Sequence, residues 1–361
     1  MEDKKTLLIL FGGVSSEHEV SCISAASVLE HIDREKYDII TIGITKEGNW
    51  FKTGSPVVNI RDGSWAEDRG NRKAFIVPDR SIGGIMVEND KGVMEPVKVD
   101  VVFPVLHGRN GEDGTMQGLL QIAGLPFVGS DTKSSAAAMD KAITKAIVHQ
   151  TSSAKQAKCH VMFKNRYDKA ADEERKILLD FFDDSMPLFV KPANAGSSVG
   201  ISKVKTVEEL PAALDKAFAE DDKAVVEEAV CGREIEVAVL GNDDPAASCI
   251  GEIFAANEFY DYNAKYENEA SRTGIVTDLE AEKEREIRDT AVRVYEALGC
   301  RGLSRVDFFL DEEGNVIFNE INTIPGFTHI SMYPKLWEES GIAYSQLLDR
   351  LIELALEKDH R

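Results

Sequence analysis

Paired cysteines are missing from this 361-residue chain: its five (Cys22, Cys159, Cys231, Cys249, Cys300) are odd in number, scattered, and form no Cys-x-x-Cys. A disulfide framework and a structural zinc site are therefore not expected, and reduced thiols point to the cytoplasm. Long apolar runs are also missing. The longest near the start, Leu7–Phe11, is too short for a signal peptide, and no segment approaches a membrane span. Positive charge is scarce, with 42 Lys+Arg against 63 Asp+Glu and a formal net charge of -21. Phosphate backbones and anionic lipid repel such a chain, which argues against a general nucleic-acid or membrane-surface role. A small phosphate compound can still bind where a few lysines converge. Repeats and low-complexity tracts do not occur. Gly12-Gly13-Val14-Ser15-Ser16-Glu17 does not fit the Gly-x-Gly-x-x-Gly dinucleotide fingerprint, and neither a Walker A motif nor His-Glu-x-x-His is present. A serine-hydrolase elbow is not expected either.

What remains is the mix of a soluble globular enzyme, 43% hydrophobic and 29% charged, in a chain too long for one core. Two or three packed domains are expected. Thr6–Phe11 reads as a strand running into Gly12-Gly13, followed by a helix over Val20–Ile32. Val99–Leu106 is nearly all apolar, as for a parallel strand covered on both faces. Ser134–Gln150 reads as one helix containing Met139-Asp140-Lys141. Strands are expected at Pro187–Lys191, Ile201–Val204, Ala224–Glu228, Glu234–Leu240 and Ser248–Phe254, and helices at Glu280–Leu298 and Tyr344–Glu357. Three lobes result: 1–125, 126–210 and 211–361.

The hairpin Leu303–Ile321 is the most informative segment. Alternation along strands puts Arg305 and Asp307 on one face, and Glu320 and Asn322 on one face. With Glu312–Asn315 as the turn, Asp307 falls opposite Glu320 and Arg305 opposite Asn322. That patch offers hard oxygen ligands of the kind Mg²⁺ prefers. An ordinary surface hairpin with a salt bridge has the same sequence pattern. Lys191 ends an apolar strand before a loop with Gly196, Ser197, Ser198 and Gly200, which can gather a cation and several N–H donors around phosphates or can be a plain turn. Lys141 offers a second cation. Glu227, Glu228 and Glu234 surround a strand end, as acceptors for a base or ribose or as solvated charges. Glu17 and His107 follow strand ends, where open parallel sheets bind ligands, although His107 also reads as a structural histidine.

The stretches Gly12–Ser21, Leu106–Thr115, Met139-Asp140-Lys141, Lys191–Gly200, Phe259–Tyr266 and Ser304–Gly326 follow one another in a recognisable order. Together they resemble the D-alanine–D-alanine ligase family of the ATP-grasp superfamily, over residues 12 to 333. The resemblance implies a three-lobed α/β enzyme with an N-terminal Rossmann-like parallel-sheet domain and two α+β lobes clasping ATP. It implies ATP-dependent joining of two D-alanine molecules through a D-alanyl phosphate, for peptidoglycan precursors. ATP is then a substrate, with two Mg²⁺ as cofactors and Mn²⁺ able to substitute. Lys141, Lys191 and Ser198 would belong to the ATP site with Glu227 and Glu234, and Lys265 would reach the γ-phosphate after loop closure. Asp307, Glu320 and Asn322 would bind the metals, while Arg305 and the Gly326 N–H would face developing charge. Glu17 would hold the first D-alanine ammonium, with Ser197 and Tyr266 completing its hydrogen-bonded group and His107 beside the first substrate. Ser331 would hold the second carboxylate. Tyr266 with Met332 matches the D-alanine-specific pattern, and the family commonly forms homodimers. Thr151–Cys159 departs from the family's Gly/Pro-containing link, and Ser271–Thr277 lacks a common proline.

Three other readings remain open at this point: a resistance-type ligase making D-alanyl-D-serine or a depsipeptide, a non-catalytic nucleotide sensor, and, remotely, a dehydrogenase.

Overall fold

The computed structural model describes residues 4–196, 199–254 and 272–357. Its strands form three sheets. The first contains β1 (Lys5–Gly12), β2 (Tyr37–Ile44), β3 (Trp50–Thr53), β4 (Arg72–Ile76), β5 (Gly84–Glu88), β6 (Met94–Lys98) and β7 (Val101–Val105), ordered β6-β5-β4-β3-β2-β1-β7. Only β2, β1 and β7 run parallel; β3 to β6 extend the sheet antiparallel. The sheet is therefore mixed, with its parallel part confined to the strands that carry the apolar runs. Both faces of β1 are covered. Leu7, Ile9 and Phe11 join the core under the helix His18–His31, while Leu8 and Leu10 join the core under the helix Thr115–Ala123.

The middle sheet contains β9 (Cys159–Phe163), β10 (Leu188–Pro192), β11 (Ser202–Val204) and β12 (Lys223–Glu228), ordered β11-β10-β12-β9. Two helices, Lys164–Phe181 and Leu210–Glu220, add to the elements expected from sequence and cover this sheet with Leu178, Leu210 and Leu214. The third sheet holds β8 (Lys155–Gln156), β13 (Gly232–Gly241), β14 (Ala246–Phe254), β15 (Arg272–Ile275), β16 (Gly302–Asp311) and β17 (Val316–Asn322). It packs on the helix Ala281–Ala297 through Ile287, Ala291 and Val294. Ala238, Leu240 and Leu303 share a core with β1 and with the helices Met332–Glu339 and Tyr344–Leu356, so the first and third sheets are joined by apolar packing.

The expected helix over Ser134–Gln150 is two helices, Thr132–Met139 and Lys141–Thr151. Asp140 is the break: at φ -87 and ψ 103 its carboxylate accepts from the N–H groups of Ala142 and Ile143 at 3.0 and 3.1 Å. An aspartate satisfies orphan helix donors better as a cap than inside a helix, and capping here puts Lys141 in the first turn. Thr151–Cys159 links sheets: Ser153 takes φ 58, Lys155–Gln156 pairs in parallel with Ile317 and Phe318, and Cys159 opens β9.

The hairpin β16–β17 has the expected register at the site, reached by a different route. Asp311 N–H bonds Asn315 and Leu310 pairs with Val316, so the loop is one residue shorter than expected. An irregularity beside Asp307 and Phe308 leaves Asn319 as the extra residue and restores Asp307 opposite Glu320 and Arg305 opposite Asn322.

Gly12 ends β1 at φ +86, and a Cβ there would lie 2.2 Å from the Ile44 carbonyl oxygen. Gly12→Ala combines a strained φ with a backbone clash and should destabilise the chain by about 2–4 kcal/mol. Denaturant unfolding checks this; an unchanged midpoint would mean that the β1 terminus shifts freely.

Candidate active site

A cleft of about 930 Å³ lies where the three sheets meet, and every described member of the expected site lines it: Glu17, His107, Lys141, Lys191, Glu227, Glu234, Arg305, Asp307, Glu320, Asn322, Gly326, Ser331 and Met332. Ser197, Ser198, Lys265 and Tyr266 lie outside the described residues. Gly196-Ser197-Ser198-Val199-Gly200 does spell Gly-x-Ser-x-Gly, but it connects β10 to its antiparallel partner β11 rather than a strand to a helix. It is not a nucleophile elbow.

One end of the cleft gathers lysines, although the chain as a whole is acidic. Lys191, in β10, donates to Glu227 Oε2 at 2.7 Å, and Lys145 Nζ lies 2.9 Å from Glu227 Oε1. Lys145 and Glu227 are only 5% and 4% exposed, so these charges depend on one another. Burial alone would push the Glu227 carboxyl up, but the two lysines outweigh it and hold the pKa down at about 2. Burial likewise opposes the Lys191 ammonium, yet Glu227, with Glu320 and Glu234, keeps its pKa raised. Lys141 Nζ donates to the Ala195 carbonyl at 2.7 Å and sits 4.0 Å from Glu320. Lys145 was not among the expected residues. Its signal was its position four residues after Lys141, on the same helix face.

On the hairpin, Arg305 clasps Asp307 with Nε and Nη2 at 2.8 and 2.7 Å, and Nε lies 3.1 Å from Glu236 on neighbouring β13. Burial works against the guanidinium charge, but Asp307 and Glu236 reverse that and raise its pKa well above the ordinary value. Asn322 Oδ1 accepts from Ile324 N–H at 2.9 Å, and bulged Asn319 points its Oδ1 to within 3.4 Å of Lys191 Nζ. Among the described residues no group of three or more His, Cys, Asp or Glu could hold a metal unaided. Asp307, Glu320 and Asn322 nevertheless fit Mg²⁺. That ion keeps several waters and commonly needs only one or two carboxylates beside substrate phosphates.

At the other end Glu17 stands ahead of the helix His18–His31. Its Oε2 would be 2.6 Å from a Cβ at Gly108 and 3.0 Å from one at Gly196, so both glycines make room for the carboxylate. His107 is 4% exposed; Nε2 lies 3.0 Å from Ser24 Oγ, and Nδ1 lies 3.2 Å from the Ile324 carbonyl and 3.5 Å from Glu112. Burial would lower its pKa, but Glu112 more than offsets this and the pKa is raised. Ser331 Oγ accepts from Thr328 N–H at 3.0 Å beside Gly326, where a Cβ would come within 2.7 Å of that hydroxyl. Met332 packs over Gly251, with no room for a Cβ between them. Ser24, Glu112, Glu236 and Asn319 complete the site, and none carries a sequence signal apart from its neighbours' motifs.

Comparison with known families places the chain as a whole. A family model described as D-ala D-ala ligase N-terminus matches residues 6–130, and one described as D-ala D-ala ligase C-terminus matches residues 154–353. The chain belongs to the D-alanine–D-alanine ligase family. It is 49% identical over 354 residues to D-alanine--D-alanine ligase B of Clostridium tetani, covering 98% of this chain and 94% of that protein. Against the D-alanine--D-alanine ligase of Acetivibrio thermocellus it is 47% identical over 369 residues, covering 99% and 97%. Among crystal structures, the VanG D-Ala:D-Ser ligase from Enterococcus faecalis superposes with a TM-score of 0.87 at 41% identity, over 98% of this chain and 100% of that one. The D-alanine-D-alanine ligase from Coxiella burnetii superposes with a TM-score of 0.83 at 35% identity, over 98% and 96%. The fold is thus the ATP-grasp fold of these ligases, and the family uses ATP on small-molecule substrates. Among the described residues no helix is long and apolar enough to cross a membrane.

A Glu227 pKa near 2 against an ordinary 4.5 is a statement about stability. The folded pKa is depressed, so the stabilisation is full above about pH 4.5 and disappears as pH falls towards 2, by about 3 kcal/mol at most. Lys145→Met should flatten this acid dependence relative to the parent, as read from urea unfolding at a series of pH values. Identical profiles would show that Lys145 does not hold the carboxylate ionised.

Proposed function

We propose that this chain joins two D-alanine molecules into D-alanyl-D-alanine at the expense of ATP. The observation that carries the reading is the single cleft holding lysines at one end, paired oxygen ligands on the hairpin, and Glu17 with Gly326 at the other. A carboxylate and an ammonium do not condense in water. The γ-phosphoryl group of ATP is therefore first transferred to the carboxylate of one D-alanine, releasing ADP. The amine of the second D-alanine then forms the C–N bond, and the C–O bond to phosphate breaks.

Lys141 and Lys191 are positioned to neutralise phosphate oxygens, and Glu234 borders the same end for the nucleoside. Lys145 and Lys191 occupy both oxygens of Glu227, so this carboxylate serves the nucleotide mainly by holding the lysines in place. Asp307, Glu320 and Asn322 would hold two Mg²⁺, or Mn²⁺ in their place, which supply charge neutralisation on the transferring phosphoryl group. Arg305, fixed by Asp307, faces the same negative charge. Glu17 binds the first ammonium and the Gly326 N–H faces the oxyanion of the second step, while Ser331 borders the second carboxylate. By family resemblance Ser197, Ser198, Lys265 and Tyr266 complete the nucleotide and first-substrate groups. The lobes follow the sheets. The first is 1–125, and the membership of Lys223–Glu228 in the middle sheet favours moving the second boundary from 210 to just past Glu228. A cytoplasmic homodimer supplying peptidoglycan precursors is consistent with the five free cysteines and with the family.

Likeness to the VanG D-Ala:D-Ser ligase raises one alternative, D-serine as the second substrate. Met332, an apolar side chain lining the cleft where D-serine-using relatives tend to carry arginine, favours D-alanine. A pocket without a hydroxyl partner rejects an added hydroxyl by no more than roughly 100-fold, so minor D-serine use is compatible with this reading.

Phosphate release with ATP and Mg²⁺ should require D-alanine and reject L-alanine, with D-alanyl-D-alanine as the main product by mass. D-alanyl-D-serine as the main product would favour the alternative, and no turnover with any pair would refute both. Glu320→Gln should lower turnover by about 100-fold or more while the melting temperature stays near the parent's. Near-normal rates at low Mg²⁺ would remove the hairpin as the metal site.

A further inference from the structure

Residues Thr323–Thr328 leave β17 towards the helix Met332–Glu339 and bring Gly326 to the wall of the cleft. Within it, Ile324–Phe327 is held at four points. Its Ile324 N–H is bound by Asn322, and its Phe327 carbonyl accepts from Tyr344 OH at 2.6 Å. The other two points come from the N-terminal sheet and its first helix. Phe327 N–H donates to Ser24 Oγ at 3.3 Å, and the Ile324 carbonyl faces His107 Nδ1 at 3.2 Å. Among the described residues the Gly326 N–H between these anchors has no partner.

The chemistry of these contacts fixes the imidazole. A carbonyl only accepts, so Nδ1 carries the proton, and Nε2 is left facing Ser24 Oγ at 3.0 Å. Ser24 Oγ donates to a bare Nε2 or accepts from a protonated one, and in either state keeps a lone pair for the Phe327 N–H. Glu112, 3.5 Å from Nδ1, steadies the same edge of the ring. Both nitrogens are therefore spent on the protein, and His107 is 4% exposed and Ser24 fully buried. A ring in this state has no free donor or acceptor for an amino-acid ligand, which departs from the sequence expectation that His107 serves the first substrate.

We infer that Ser24 and His107 are positioning residues, a clamp reaching from the N-terminal lobe to hold Ile324–Phe327 so that the Gly326 N–H meets the oxyanion of the peptide-forming step. The inference rests on the ligase reading above. In that step the amine lone pair forms the C–N bond while the carbonyl π pair moves to oxygen, where Gly326 donates. Collapse restores C=O, expels phosphate, and releases the amine proton to solvent. Acyl-phosphate formation precedes this and does not use the clamp in the same way. A slackened segment slows amine attack, and water then takes the acyl phosphate, returning D-alanine and phosphate without dipeptide.

Ser24→Ala, His107→Asn and the double variant test the clamp, in the full chain with ATP, Mg²⁺ and D-alanine. The readouts are phosphate released per dipeptide formed, kcat, KM for the first D-alanine, and melting temperature. The parent should release one phosphate per dipeptide. Each variant should lose about 10- to 100-fold in kcat, a loss bounded by that of a whole oxyanion donor. The phosphate-to-dipeptide ratio should rise above about 2, with KM for the first D-alanine within about threefold of the parent. The double variant should fall no more than about twofold below the weaker single variant, because both act through one segment. A KM increase of about tenfold or more at an unchanged ratio would overturn the inference and make His107 a substrate ligand. Ser24→Ala is nearly isosteric; if His107→Asn does not fold, Ser24→Ala decides alone, and parental kcat and ratio in it refute the clamp. A parent chain that makes no dipeptide would instead sink the ligase reading, an outcome distinct from coupled turnover in every variant.

Discussion

Arg305 is the charge around which the third sheet is arranged. It lies on β16 between β13 and β17, its guanidinium bound to Asp307 on its own strand and lying close to Glu236 across the β13 ladder. A guanidinium so largely buried is tolerable only when its partners are fixed, because an uncompensated buried charge destabilises by several kcal/mol. Fixing them constrains the backbone. Glu236 pairs with Asp307 in register, and Asp307 pairs with Glu320, so three strands are locked at the height where they face the cleft. The bulge at Asn319 sits directly beside that point. It lets the hairpin close with a short loop while keeping Asp307 opposite Glu320. A one-residue slip without it would have sent Glu320 to the opposite face of the sheet.

The hairpin also shows how far sequence carries and why it stops. Alternating polar and apolar residues from Leu303 to Asn322 were enough to give both strands and the facing pairs at the site. The turn length was not legible, since Glu312-Glu313-Gly314-Asn315 suits a three- or a four-residue loop equally well. What decided it was Asn315 reaching back to Asp311 with its side-chain amide and backbone N–H. Asp140 gives the complementary case. Helical spacing runs through it on both sides, and only its competing preference for capping breaks the helix. That break orients Lys141, so the misread boundary lay at a residue lining the cleft, where local rules are most often overridden.

Residues of the cleft and its surroundings were legible when they stood at strand ends or within ordered motifs, and hidden when their contacts came from a distant partner. Lys191, Asp307 and Glu320 belong to the first group. Ser24 belongs to the second: in sequence it is one small residue of the run Ser21-Cys22-Ile23-Ser24-Ala25-Ala26, indistinguishable from helix packing. Its partners lie 83 and 303 residues away. The membership of Lys223–Glu228 in the middle sheet was hidden for a related reason. Lys223–Glu228 follows a helix in the chain, but its pairing with β9 and β10 is a long-range fact.

The pairing of charge at the lysine end of the cleft bears on how an acidic chain could bind the polyphosphate of the proposed function. Three lysines, Lys141, Lys145 and Lys191, border one wall, and unpaired they would repel one another and lower each other's charge. Glu227 removes that repulsion between Lys145 and Lys191 and is itself kept ionised by them. Lys145, Lys191 and Glu227 together carry a net charge of +1 with their geometry already set, so an arriving phosphate does not have to order these two lysines. Lys191 has the most to exchange. It also contacts Asn319 and borders the open cleft, whereas Lys145 is 5% exposed. On the function proposed above, Lys145 is the fixed counter-charge that allows Lys191 to share its ammonium with phosphate without leaving Glu227 unpaired. The overall charge of -21 then repels anions that lack this local match, and selection rests on the cleft.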